Sequence, residues 1–139
     1  MPRVLGIDLG SARVGLALSD PNGVVAQPLE VIEGPPPAGF AAAVADRVRE
    51  LEVDEIVVGI PMRMDGTRGT EADAAEAFAQ GLEAATGLPV HRWDERLSTV
   101  EAERAMRAAG TNARRQRGVV DKVAAALVLS AYLDAHRAR

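Results

Sequence analysis

Val4-Leu5-Gly6-Ile7-Asp8-Leu9-Gly10-Ser11-Ala12-Arg13-Val14-Gly15-Leu16-Ala17-Leu18-Ser19-Asp20 is the stretch on which the reading of the fold turns. Its first six residues read as a strand. Leu5, Ile7 and Leu9 point to one face; Val4, Gly6 and Asp8 point to the other. Gly10-Ser11 signals a turn, residues 14–19 a second strand, and Asp20-Pro21-Asn22-Gly23 another turn. A third strand is expected over 25–32, with Pro28 placing it at an edge or a bulge. Three strands joined by short turns make an antiparallel meander.

Outward from that meander the period changes. After the break at Gly34-Pro35-Pro36-Pro37, Phe40, Val44, Val48 and Leu51 recur at helical spacing. Residues 54–60 form a β-branched run suited to a buried parallel strand. A polar, Gly-rich loop over 61–69 precedes a helix over 71–86, which Gly87 should cap at its C-terminus. Residues 88–93 read as a fifth strand. Ser98-Thr99-Val100-Glu101 has the form of a capping box opening a third helix. A basic loop over 110–118 leads to a last helix over 119–136, whose expected apolar stripe is Val120, Val123, Ala124, Leu127, Val128 and Ala131. The order β-β-β-α-β-α-β-α-α predicts an α/β fold. Its mixed five-stranded sheet has three antiparallel strands, then two entering through helical crossovers, with helices on its faces. One domain should span residues 1–139.

Composition narrows the function. Apolar residues make up 47% and charged residues 26%, the balance of a soluble globular chain. Four aromatic residues, Phe40, Phe78, Trp93 and Tyr132, are too few for a stacking platform for single strands. The absence of cysteine excludes disulfides, thiolate nucleophiles and Cys-ligated metals. No apolar run approaches a membrane span and no signal peptide is evident, so a cytoplasmic protein without membrane contact is expected. The net charge of −4 is uneven: residues 1–110 carry −8 and residues 111–139 carry +4. A mostly acidic chain with one basic segment suits a local phosphate-rich partner rather than general polyanion binding.

Asp8 lies inside the most apolar strand, where a buried carboxylate needs a partner or a metal. Asp94-Glu95 follows the fifth strand, where an acid can simply open a loop. Asp121 falls in the first turn of the expected last helix, where it would suit the helix dipole. Brought to one end of the sheet, these acids would make an oxygen-rich pocket for Mg²⁺ or Mn²⁺ rather than Zn²⁺. Two such ions about 4 Å apart can stabilise an in-line displacement at phosphorus. Neither His91 nor His136 is needed for that chemistry.

The opening stretch resembles that of the YqgF/RuvX family, relatives of the RuvC resolvase with an RNase H-like fold. Three further blocks match in order. They are Asp54-Glu55-Ile56-Val57-Val58-Gly59-Ile60-Pro61 running on to Met64-Asp65-Gly66-Thr67; Asp94-Glu95-Arg96-Leu97-Ser98-Thr99-Val100-Glu101-Ala102; and Gly118-Val119-Val120-Asp121-Lys122-Val123-Ala124-Ala125. Ser11 and Ala12 stand where Thr and Lys are common, and Arg63 where Asn is common. The resemblance implies a divalent-metal-dependent nuclease with Asp8, Glu95 and Asp121 as catalytic metal ligands, Glu95 being favoured over the neighbouring Asp94 for the middle one, Mg²⁺ or Mn²⁺ as cofactor, and two ions when substrate is bound. It also implies a role in maturing the 5′ end of 16S ribosomal RNA, or in resolving branched DNA junctions. Arg13, Arg96, Arg114, Arg115, Arg117 and Lys122 would then contact nucleic-acid phosphates. A monomer or weak homodimer is expected.

Two other readings are open to the residues. Asp8-Leu9-Gly10-Ser11 also resembles the phosphate loop of actin-like ATPases and sugar kinases, but those clasp nucleotide between two such domains, for which 139 residues leave no room. A non-catalytic nucleic-acid binder would have to overcome a mostly acidic surface without a metal.

Overall fold

A computed structural model describes residues 1–34, 39–98 and 113–137, with side chains described for all of these except 113–121 and 137. Five strands form one sheet: β1 (Val4–Leu9), β2 (Arg13–Ser19), β3 (Ala26–Glu33), β4 (Glu55–Ile60) and β5 (Val90–Asp94), in the order β3-β2-β1-β4-β5. β1, β2 and β3 pair antiparallel, while β4 is parallel to β1 and β5 is parallel to β4. This is the mixed sheet read from the sequence. Pro28 does lie on an edge strand, and the register against β2 jumps there from Leu16↔Glu30 to Ala17↔Pro28, leaving Leu29 as a bulged extra residue.

Strand alternation divides the core in two. Leu5 and Ile7 of β1, with Ile56, Val58 and Ile60 of β4, pack against α1 (Gly39–Glu50) and α2 (Thr70–Thr86) through Val44, Val48, Phe78 and Leu82. Gly87 ends α2 in the left-handed region at φ 70°, as a C-terminal glycine should. Val4, Ala17 and Val57 face the other way, onto the long helix α3 (Ala113–Arg137) through Ala125, Val128, Leu129 and Tyr132. Gly6 lies on this second face. A Cβ there would sit 2.6 Å from the Leu129 Cβ, so only glycine lets the helix approach this closely.

Two expectations about α3 are corrected. The helix begins at Ala113, not near residue 119, so Arg114, Arg115 and Arg117 lie on helical backbone rather than in a loop. Gly118 suggested a break. One glycine within a run of good helix formers costs only about 1 kcal/mol, which packing along the sheet outweighs. The buried stripe is only partly the one expected: Ala124 and Val128 are buried as read, but Val123, Leu127 and Ala131 are only partly so, and Ala125, Leu129, Tyr132 and Leu133 are buried instead, while the Val120 side chain lies outside the described residues. The helix is apolar over a wide arc, so periodicity alone left its inner side ambiguous. The expected third helix, beginning at 99, lies outside the described residues. Among the described residues no helix is long and apolar enough to cross a membrane.

Candidate active site

β1, β4 and β5 run parallel, so their carboxyl ends meet at one end of the sheet, where ligands of such sheets collect. Asp8 is the last residue of β1 on the α3 face and is 3% exposed. The β1–β4 register, Gly6↔Val57 and Ile7↔Val58, carries Asp8 alongside Gly59. Immediately after β5 the chain makes a single 3-10 turn, Glu95–Leu97, whose first residue is also 3% exposed. The Glu95 carboxylate lies over Gly59: a Cβ on residue 59 would come within 2.8 Å of Glu95 Oε1 and 3.0 Å of Val128 Cγ2. Two buried carboxylates are thereby directed to adjoining positions on the α3 face.

Asp94 does a different job. It caps the 3-10 turn, accepting from the Arg96 backbone N–H at 2.9 Å. Its carboxylate also takes the Arg96 guanidinium, with Nη2 2.7 Å from Oδ2 and Nε within 3.2 Å of Oδ1. Hydrogen bonds from Arg96 hold the Asp94 carboxyl below the usual range. Asp94 therefore orders the turn that delivers Glu95. Ser98 completes it, donating from Oγ and from its backbone N–H to the Glu95 carbonyl at 2.8 and 3.1 Å.

Arg96 reaches across to the loop after β4, where a Cβ on Gly66 would meet its Nη1 at 3.4 Å. That loop is closed by Arg63 and Thr67, N–H to carbonyl at 3.0 Å. Asp65 tightens it, accepting from Thr67 Oγ1 at 2.6 Å and from the Thr67 N–H at 2.9 Å, and these bonds lower its pKa. Met64 projects from the loop 82% exposed.

Of the other sequence-predicted residues, Arg13 opens β2, partly buried, and its carbonyl closes the β1–β2 turn by accepting from Gly10 N–H at 2.8 Å. Lys122 is partly exposed on α3. The side chains of Asp121, Arg114, Arg115 and Arg117 lie outside the described residues. Asp121 is eight residues into α3, not in its first turn, so the helix dipole does not explain it. Among the described residues no three His, Asp or Glu side chains gather as a metal site. The sequence reading did not single out Gly6 or Gly59; a lone glycine within each apolar strand was the available sign of close approach.

Known proteins share this architecture. The model of the RuvX family, described as Holliday junction resolvase, matches residues 2–135, and the chain belongs to that family. A relative from Syntrophus aciditrophicus named "Putative pre-16S rRNA nuclease" is 45% identical over 133 residues, covering 96% of this chain and 89% of its own. A relative of the same name from Anaeromyxobacter is 48% identical over 136 residues, covering 98% of this chain and 99% of its own. Among solved structures, Thermus thermophilus RuvC in complex with Holliday junction substrate superposes with a TM-score of 0.59 at 19% identity, covering 97% of this chain and 96% of that one. The fold is thus that of RuvC, an RNase H-like sheet with its helices.

Proposed function

We propose that this chain, as one catalytic domain, is a divalent-metal-dependent nuclease that matures the 5′ end of precursor 16S ribosomal RNA in the cytoplasm. It is a hydrolase of phosphodiester bonds. The observation that carries the reading is the pair of buried carboxylates, Asp8 and Glu95, at the carboxyl end of the parallel strands, within a family whose relatives bear a nuclease name along nearly their whole length.

The third acid is Asp121. Tyr132 and Leu133 pack with Val4, and Leu129 and Ala125 lie over Gly6, so α3 runs opposite to β1. Four helix residues advance about 6 Å, close to the rise of two strand residues. Continued by one more turn, the same spacing would set residue 121 near the height of Asp8. This donor set of carboxylates, with no sulfur, fits Mg²⁺ or Mn²⁺, which Asp8, Glu95 and Asp121 would hold. When bound, such ions offset charge developing on the phosphate oxygens and lower the pKa of an attacking water. The burial of Asp8 and Glu95 fixes their oxygens in advance, so little rearrangement is needed at the moment of reaction.

Arg114, Arg115 and Arg117, in the first turns of α3, with Lys122 and Arg13, hold the flanking phosphates. Arg96 can join them only in competition with Asp94, which already engages it. The chain acts as a monomer or weak homodimer. The family description and the RuvC likeness favour a second substrate, a four-way DNA junction, whose two-fold symmetry would call for the dimer.

The test is cleavage of a precursor rRNA fragment and of a four-way junction, side by side, with and without Mg²⁺. The expected result is metal-dependent cleavage of the rRNA, abolished in Asp8→Asn while the thermal melt is retained. Full activity in Asp8→Asn or in EDTA would overturn the Asp8-centred, metal-dependent reading, and no cleavage of either substrate would overturn the nuclease reading itself. Cleavage of the junction alone would move the substrate to DNA.

A further inference from the structure

The amino ends of β1, β4 and β5 carry a second constellation, about four strand residues or roughly 13 Å from Asp8 along the sheet. A cavity of about 480 Å³ opens there, lined among others by Val24, Glu55, His91, Tyr132, Leu133 and His136. Both histidines and the one tyrosine of the chain are collected at this point, and the nuclease reading uses none of them.

Three rings form one wall. The His136 ring lies 4.1 Å from that of Tyr132 at 32°, and the His91 ring 5.2 Å away at 31°. His136 Nδ1 lies 2.8 Å from the Tyr132 carbonyl, which can only accept, so Nδ1 carries the proton and the ring is held in place. Beside them, Glu55 Oε2 accepts from the Tyr132 hydroxyl at 3.2 Å and from His91 Nε2 at 2.9 Å. Oε1 is left without a hydrogen bond among the described residues. Asn22, also at the cavity, adds an amide with both donor and acceptor capacity. Among the described residues no lysine or arginine lines the cavity, and the Glu55 carboxylate there disfavours a phosphate.

We infer that this cavity is a second binding site, separate from the acidic one, for an amino-bearing purine base. A flat bicyclic base extends the ring stack, its exocyclic amino group donates to Glu55 Oε1, and apolar Val24 and Leu133 cover its remaining surface. The volume is that of an ordinary small-ligand pocket with a few convergent polar groups. The base could come from a free nucleoside or from an unpaired residue of an RNA strand; the recognising chemistry is the same.

Trp93, the only tryptophan, stands edge-on to Tyr132 at 6.0 Å and supplies the readout. Its fluorescence is followed during titration of the intact protein with adenosine, purine riboside (which lacks the amino group), AMP, a short oligoadenylate and methylguanidinium. Expected are saturable binding of adenosine, at least fivefold weaker binding of purine riboside, and no gain for AMP. Glu55→Gln should weaken adenosine at least tenfold. Val24→Trp, at a position 42% exposed, should block the cavity without touching its polar floor. Asp8→Asn should bind adenosine like the parent chain, which separates this site from the nuclease reading. Tighter binding of the oligoadenylate than of adenosine assigns the base to an RNA strand; equal binding assigns it to a free nucleoside. No saturable response to adenosine would overturn the inference. So would a response that survives both Glu55→Gln and Val24→Trp, or preferred binding of methylguanidinium, which would mark a site for a protein arginine.

Discussion

The Glu95 carboxylate occupies the space that any side chain on Gly59 would need: a Cβ at residue 59 would lie 2.8 Å from Oε1. A glycine in β4 thus determines where an acid from the segment after β5 can rest. Gly59→Ala should push Glu95 out of its slot and press on Val128. The expected outcome is at least a tenfold loss of cleavage with a stability loss of about 1–3 kcal/mol. Cleavage kinetics beside a thermal melt check it. A variant with unchanged cleavage would show that the Glu95 position is irrelevant to catalysis.

Gly6 of β1, paired with Val57 of β4, lies on the same face of the sheet but meets only α3. A Cβ there would meet Leu129 Cβ at 2.6 Å and the Ala125 carbonyl at 3.0 Å. Neither is the far end of a flexible side chain, so the helix itself must move. Gly6→Ala should destabilise by about 2–3 kcal/mol, a fall in Tm on the order of 10 °C. Calorimetry reads this directly.

The Asp94–Arg96 contact gives a pH signature. The folded-state pKa of Asp94 is depressed, chiefly by the Arg96 side-chain hydrogen bonds. Its contribution is therefore present above the ordinary carboxylate value of 3.8 and is lost as pH falls through the depressed folded value. Asp94→Asn should be less stable than the parent chain by about 0.5–1 kcal/mol at neutral pH. The gap should close below about pH 4, and urea melts at several pH values would show it. A gap constant across that range would mean the charge is not what matters.

The basic start of α3 is expected to act on affinity more than on chemistry. Replacing Arg114, Arg115 and Arg117 together by Gln should weaken binding of a single-stranded rRNA precursor. It should also flatten the slope of log affinity against log salt by about 2, near 0.7 for each phosphate that is no longer neutralised. Filter binding across a salt series measures it. An unchanged slope would remove these residues from the interface.

Much of this was legible in the chain because period-2 alternation and turn residues are local signals. β1 matched residue for residue, Pro28 marked its bulge, and Gly87 marked the end of α2. What escaped was relational. The inner face of α3 depends on which of several apolar rows meets the sheet, and the helix start depends on packing that outweighs one glycine. The choice between neighbouring acids was open in the chain, since Asp94 and Glu95 are equally acidic on paper. Folding distinguishes them by giving Asp94 to Arg96 and burying Glu95 over Gly59. Gly6 and Gly59 matter for what stands opposite them, which no local pattern reveals.

The bulge at Leu29 has a consequence for association between copies. Beside it, Pro28 presents no amide hydrogen to an incoming strand, and the displaced residue interrupts the regular ladder that such a strand would need. At the opposite margin, β5 is only five residues long. Lateral stacking of sheets into a continuous ribbon is therefore blocked on one side and given little length on the other. Protection of this edge against fibrous self-association thus rests on a single imino acid and the one residue that follows it.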